Sequence, residues 1–163
     1  MPLITSSRTP STETRAFCRR LTSLLPGSVF EQRGKKAMED ILKKAEALGM
    51  SRVLVVNEKD AKPCSIGSME VGSGGAGWRE EELRILEYKM GKPGQKPKPT
   101  SFTVAGDARE FFSHFTGIEE EMQASEPDEM ASYVEAGKKE IIFMYGGESS
   151  LEMKYTVIAH AKG

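Results

Sequence analysis

Four consecutive apolar residues, Val53-Leu54-Val55-Val56, set the tightest limit on how this chain folds. A strand with one face in water alternates apolar and polar residues, whereas an unbroken run of β-branched type suits a central strand covered on both faces. The residues before the run supply what such a strand needs. Leu3 to Thr5 reads as a strand, Phe17, Leu21, Leu24 and Leu25 recur at helical spacing, and Ser28-Val29-Phe30 reads as a short strand. Lys36 to Leu48 then reads as a second helix with Met38, Ile41, Leu42, Ala45 and Leu48 on one face. Strand, helix, strand, helix, strand is an α/β signature. A chain of 163 residues suits one domain, or two small halves sharing a core, and can bury roughly 70% of its unfolded surface.

The first helix is introduced by a hydroxyl-rich turn, Ser6-Ser7-Arg8-Thr9-Pro10-Ser11. Thr9 is placed to cap the helix and Pro10 suits its first position, so the spacing predicts a start at Pro10 and a stop at Pro26-Gly27. Backbone N–H groups and hydroxyls at a helix N-terminus, beside Arg8, are able to hold a phosphate. Arg15, Arg19 and Arg20 fall mostly off the apolar stripe. The same spacing also describes an ordinary capped helix with solvated arginines. Arg33-Gly34-Lys35-Lys36 follows the second strand. If the first two strands are parallel, Arg8 and the pair Arg33 and Lys35 leave the sheet at the same edge and form one exposed basic surface.

Leu3-Ile4-Thr5-Ser6-Ser7-Arg8-Thr9-Pro10-Ser11 resembles the opening Ile-Thr-(Ser/Thr)-(Ser/Thr)-Arg-x-Pro-Ser of the Brix domain, and Arg33-Gly34-Lys35 resembles that family's later Arg-Gly-(Lys) element. The resemblance is strongest over residues 3 to 71, and the total length is similar to the stand-alone archaeal members. It implies an internally duplicated α/β unit, a mixed sheet-and-helix arrangement in which each half is similar to the anticodon-binding domain of class IIa aminoacyl-tRNA synthetases. It also implies a non-catalytic ribosome-biogenesis protein that binds ribosomal RNA. The family usually has a glycine in the turn that here reads Lys59-Asp60-Ala61-Lys62-Pro63.

The formal charge of −1 hides a division along the chain. Residues 1 to 99 carry 18 Lys/Arg against 12 Asp/Glu, and residues 100 to 163 carry 5 against 12. A basic half for a polyanion and an acidic half for basic ribosomal or other assembly proteins is one reading; helices that merely differ in charge is the other. The RNA contacts expected from motif position are Arg8, Arg33 and Lys35, and from charge alone Arg15, Arg19, Arg20 and Lys36. Lys89, Lys92, Lys96 and Lys98, interleaved with Pro93, Pro97 and Pro99, are secondary phosphate contacts on a stiff connector. Residues 1–91, 92–99 and 100–163 are thus read as basic half, connector and acidic half.

Beyond the central run, Cys64 to Val71, Leu83 to Met90 and Phe102 to Ala105 read as strands. Gly106-Asp107 is placed to cap a helix over Ala108 to Phe115, whose phenylalanines suit a core better than a base-stacking platform. Asp128 to Ala136 reads as a helix, with Met130, Tyr133 and Val134 inward, and Ile141 to Tyr145 with Leu151 to Ala161 as a terminal β-hairpin.

Catalytic patterns are missing. Gly72-Ser73-Gly74-Gly75-Ala76-Gly77 matches Gly-x-Gly-x-x-Gly, but position 97 is proline where a dinucleotide site needs an acid, and three glutamates follow. A loop binding no cofactor is expected. His114 and His160 have no metal-ligand spacing around them, and Cys18 sits beside an apolar stripe as a buried side chain would. The chain has no apolar run near the roughly 18 residues of a membrane span, its opening residues have no leader pattern, and its two distant cysteines suit a reducing interior. The expectation is a cytoplasmic protein with no membrane partner. A tRNA-binding module of anticodon-binding type and a protein–protein adaptor are the rival readings.

Overall fold

The computed structural model describes residues 1–72, 77–91, 102–118, 121–122 and 132–159. The chain runs β1 (Pro2–Ser6), α1 (Thr12–Leu24), β2 (Val29–Phe30), α2 (Met38–Ala47), β3 (Arg52–Lys59), β4 (Lys62–Glu70) and β5 (Gly77–Met90). It continues with β6 (Phe102–Ala105), α3 (Arg109–Thr116), β7 (Glu121–Met122), β8 (Ser132–Ala136), β9 (Glu140–Tyr145) and β10 (Glu148–Ala159). The ten strands among the described residues join one mixed sheet in the order β2-β1-β3-β4-β5-β10-β9-β8-β6-β7. Strands β2, β1 and β3 are mutually parallel, as are β6 and β8. The long antiparallel pair β5 and β10 lies at the middle.

The apolar run behaves as its composition requires. Val53, Leu54, Val55 and Val56 are each at most 3% exposed. Because successive side chains of a strand point to opposite faces, Leu54 and Val56 join Ile4 in the large core, while Val53 and Val55 join Leu3 in a smaller one. Helix α2 closes the smaller core with Ile41 and Ala45. The large core lies on the other face, where α1 contributes Phe17, Cys18, Leu21 and Leu24, and α3 contributes Phe112 and Phe115. The sheet curls around these two helices. Ser68 of β4 donates its hydroxyl to the Phe115 carbonyl at 2.7 Å, and Arg52 of β3 donates to the His114 carbonyl at 3.2 Å. Strands of both ends therefore share one core.

Several expectations need correction. Helix α1 is capped by Ser11, whose side chain accepts the Thr14 N–H, and not by Thr9. Thr9 has φ +49 and its hydroxyl donates to the Arg8 carbonyl. Helix α3 begins after Ala108 with no side-chain cap, so Asp107 does not serve there. The predicted helix from Asp128 to Ala136 is overturned where it is described: Ser132–Ala136 is strand β8, between β6 and β9. Val134 and Ala136 point into the core and Tyr133 and Glu135 away from it, a period of two. The strand from Leu83 to Met90 forms within a longer β5 that begins at Gly77, and the terminal hairpin forms with its second strand over Glu148–Ala159, residues 160 and 161 of the expected strand lying outside the described residues. Residues 73–76 of the glycine stretch, 128–131, the whole connector 92–99 and His160 lie outside the described residues.

Candidate nucleic-acid interface

The parallel pairing of β1 and β2, with Leu3 opposite Val29 and Ile4 opposite Phe30, sends the chain out of both strands at one edge. After β1 comes the loop Ser7 to Ser11; after β2 comes Glu31 to Ala37. The two loops touch, since the Thr9 N–H donates to the Gly34 carbonyl at 3.4 Å. Gly34 takes φ +53, a left-handed conformation that a side chain makes costly. Ser7 N–H donates to the Val56 carbonyl at 3.0 Å, which ties the first loop to β3 as well.

Arg33 does not lie on the surface. It is 7% exposed, and its guanidinium is turned inward: Nε donates to the Lys36 carbonyl at 2.7 Å and Nη1 to the Ser6 carbonyl at 3.1 Å. Burial, and secondarily the charge of Arg8, push its pKa down. The physical reason for the correction is that Ser6 ends a strand whose neighbour β2 has already stopped, leaving a buried carbonyl that needs a donor. Arg33 thus staples the second loop to the end of β1. Arg8, Lys35 and Lys36 are the exposed cations of the two loops, and of these Lys36 is paired with Glu31.

The phosphate-competent helix start is already filled. Glu58, near the end of β3, accepts the Ser11 N–H at 3.1 Å and the Thr14 hydroxyl at 2.5 Å. Ser11 donates its own hydroxyl to the Ala61 carbonyl at 2.7 Å. Those donors, the Thr14 hydroxyl first, pull the Glu58 carboxyl below its ordinary pKa. An anion at a helix N-terminus is favoured by the dipole and the free N–H groups, and here the anion is the protein's own. The hydroxyl-rich turn is therefore internal architecture.

Other candidates divide in the same way. Lys36 pairs with Glu31 at 2.5 Å, and Lys44 of α2 pairs with the other carboxylate oxygen of Glu31. These two ammonium groups, Lys36 first, hold the Glu31 carboxyl below its usual range. Arg20 is half-buried and donates to Ser150 of β10 at 2.9 Å, so it faces the middle of the sheet. Arg15 is half-buried on α1 and Arg19 is exposed, with its guanidinium over the Phe30 ring at 5.6 Å from the centroid. Lys89 is remote from this edge, in a depression of about 210 Å³ lined also by Glu87, Tyr88, Glu140, Glu152 and Lys154. Of the three carboxylates there, Glu87 is paired with Lys154 at 3.4 Å. Lys92, Lys96 and Lys98 lie outside the described residues.

Sequence reasoning missed Glu58 and Phe30. Glu58 carries a faint signal, as an acid at the end of the apolar run, but its partners are 44 and 47 positions away. Among the described residues no group of three His, Cys, Asp or Glu is arranged to hold a metal ion. Cys18 is buried, which raises its thiol pKa to about 12 and makes it a poor nucleophile.

No family model matches the chain. A probable Brix domain-containing ribosomal biogenesis protein of Methanothermobacter thermautotrophicus is 30% identical over 123 residues, covering 76% of this chain and 74% of that protein. One of the same name from Thermococcus kodakarensis is 35% identical over 71 residues, 44% of this chain, and the match spans only 34% of that protein's length. The crystal structure of a probable ribosomal biogenesis protein from Aeropyrum pernix K1 matches 99% of this chain and 97% of its own, with a TM-score of 0.70 at 23% identity. That last likeness is one of fold.

Proposed function

The chain belongs to the family of Brix domain-containing ribosomal biogenesis proteins, and on that premise we propose that it is a non-catalytic factor that binds ribosomal RNA during subunit assembly. The observation that carries the reading is the pair of interlocked loops at the shared edge of β1 and β2, each presenting an exposed cation, Arg8 and Lys35, on a backbone fixed from beneath. Fixed cations suit the regular spacing of phosphates, and each one that replaces a condensed counterion contributes to affinity. Arg15 and Arg19 extend this basic edge along α1. Arg33 serves it by positioning the loop, and Lys36 by completing the Glu31 pair. Lys89 and the connector lysines 92, 96 and 98 are secondary contacts at most.

The fold is read as an internal duplication of halves 1–91 and 100–163 joined by 92–99, each similar to the anticodon-binding domain of class IIa aminoacyl-tRNA synthetases. What supports it is the strand order, in which β1, β3, β4 and β5 occupy the positions that β6, β8, β9 and β10 occupy on the other side of the central pair. The acidic second half is the proposed contact for ribosomal or other assembly proteins. The protein is proposed to work in the cytoplasm; among the described residues no helix is long and apolar enough to cross a membrane. Crosslinking in a native extract, followed by sequencing of the attached RNA, tests the reading. Enrichment of ribosomal RNA or its precursors is expected. Enrichment of tRNA instead would favour an anticodon-binding module, and protein without RNA an adaptor.

A further inference from the structure

The edge of the sheet next to the two loops holds an arrangement that the loop cations Arg8 and Lys35 do not use. Among the described residues strand β2 is the last at its end of the sheet, and none of them forms a strand on the outer side of Phe30. Its ring packs partly against the large core, which fixes it. The guanidinium of Arg19, from α1, lies over that ring at 5.6 Å from its centroid and is exposed. An arginine over an aromatic face is attracted by the ring quadrupole and loses rotamer freedom there. What results is a planar, weakly hydrated cation held on a fixed backing.

Phe30 lies immediately before the loop that carries Lys35. Lys35 is five positions on, a reach of at most roughly 18 Å even if fully extended. Arg8 lies beside that loop through the Thr9–Gly34 hydrogen bond. A strand of RNA whose phosphates run past Arg8 and Lys35 can therefore bring a base to Arg19. In a duplex that base is buried in its own stack and offers only an edge, whereas an unpaired base is free to lay its face on a guanidinium. We propose that Arg19, backed by Phe30, is a stacking platform for one unpaired base, so that this edge selects single-stranded or looped RNA over continuous duplex. The proposal rests on the RNA-binding reading above and adds to it a specificity that phosphate contacts lack.

The test compares wild type with Arg19→Lys, which keeps the charge but loses the plane, and with Phe30→Leu, which removes the backing ring. The probes are a short single-stranded RNA carrying one fluorescent purine analogue and the same strand annealed to its complement. Wild type is expected to bind the single strand more tightly and to quench the analogue. Both substitutions should weaken single-strand binding by roughly 5- to 100-fold, taking a base stacked on the backed guanidinium to contribute about as much as one stacked on an aromatic ring. Duplex affinity and the salt slope should stay unchanged for Arg19→Lys. Thermal unfolding of Phe30→Leu separates lost backing from lost fold, and Arg19→Lys carries the test if that variant unfolds. If Arg19→Lys binds the single strand like wild type while Arg8→Ala weakens both probes, the platform is wrong and RNA binding stands. If neither probe binds wild type even at low salt, the RNA-binding reading itself falls.

Discussion

The loops that follow β1 and β2 sit side by side and reach the same result by opposite chemistry. The first is held from beneath by a carboxylate, Glu58, which receives the Ser11 N–H and the Thr14 hydroxyl. The second is held by a guanidinium, Arg33, which donates to the Ser6 and Lys36 carbonyls. In each a charged side chain, half-buried in Glu58 and buried in Arg33, is taken up by loop geometry and an exposed cation is left beside it, Arg8 on one loop and Lys35 on the other. The lesson is that charge type in a motif does not reveal which residue is left exposed; the unsatisfied backbone groups around it decide that.

The comparison breaks most visibly at Arg33. Arg33→Ala should cost about 2–3 kcal/mol, because hydrogen bonds to a charged group are lost and two carbonyls are left without their donor. Thermal unfolding reads this as a clear drop in Tm, and Arg33→Lys should restore little of it, since an ammonium cannot reproduce two bonds from one planar fork. A Tm equal to wild type would mean that the staple contributes nothing.

Glu58 should matter less, since its loop keeps the Ser11 cap and the Ser7 bond to β3. Glu58→Ala is expected to cost about 1 kcal/mol, in the range of a lost helix-terminal partner. Its pH dependence has a definite sign. The native carboxyl titrates below its ordinary value of 4.5, so its stabilisation is fully present above that value and is lost as pH falls through the depressed native one. Glu58→Gln should therefore be less acid-sensitive than wild type when unfolding is followed between pH 5 and pH 2; an unchanged acid limb would show that the carboxylate is not bound as described.

Glu31 comes next. Its partners are about half exposed, so Glu31→Gln should cost no more than about 1 kcal/mol. It also releases Lys36 and Lys44, and RNA affinity should rise with a steeper salt dependence. Weaker binding would show that the pair shapes the loop more than it withholds charge.

Much of this was legible beforehand, for reasons that differ by element. Val53 to Val56 could be placed because a strand buried on both faces has no room for a polar residue, and that demand is local. The shared edge of the two loops was legible only on the condition that β1 and β2 run parallel, which their pairing meets. Strand β8 was misread because Tyr133 and Val134 fit a helical face as well as Val134 and Ala136 fit a strand, and pairing with β6, some 30 positions earlier, decides it. The inward turn of Arg33 and the Glu58 bond to Thr14 are long-range events. Neither leaves a periodic trace, and arginine and glutamate are ordinarily exposed.

The smallest effect on stability belongs to the two exposed cations, and it coincides with the most direct test of function. Replacing Arg8 and Lys35 together with alanine should leave Tm within the range of about 0.5 kcal/mol typical of surface changes. Binding of the double variant to a ribosomal RNA fragment, titrated across salt concentration, is the decisive measurement. Two lost phosphate contacts should flatten the slope of log affinity against log salt by roughly 1.4 to 1.8. A slope and affinity equal to wild type, in a protein that remains folded, would contradict the claim that this edge is where RNA is held.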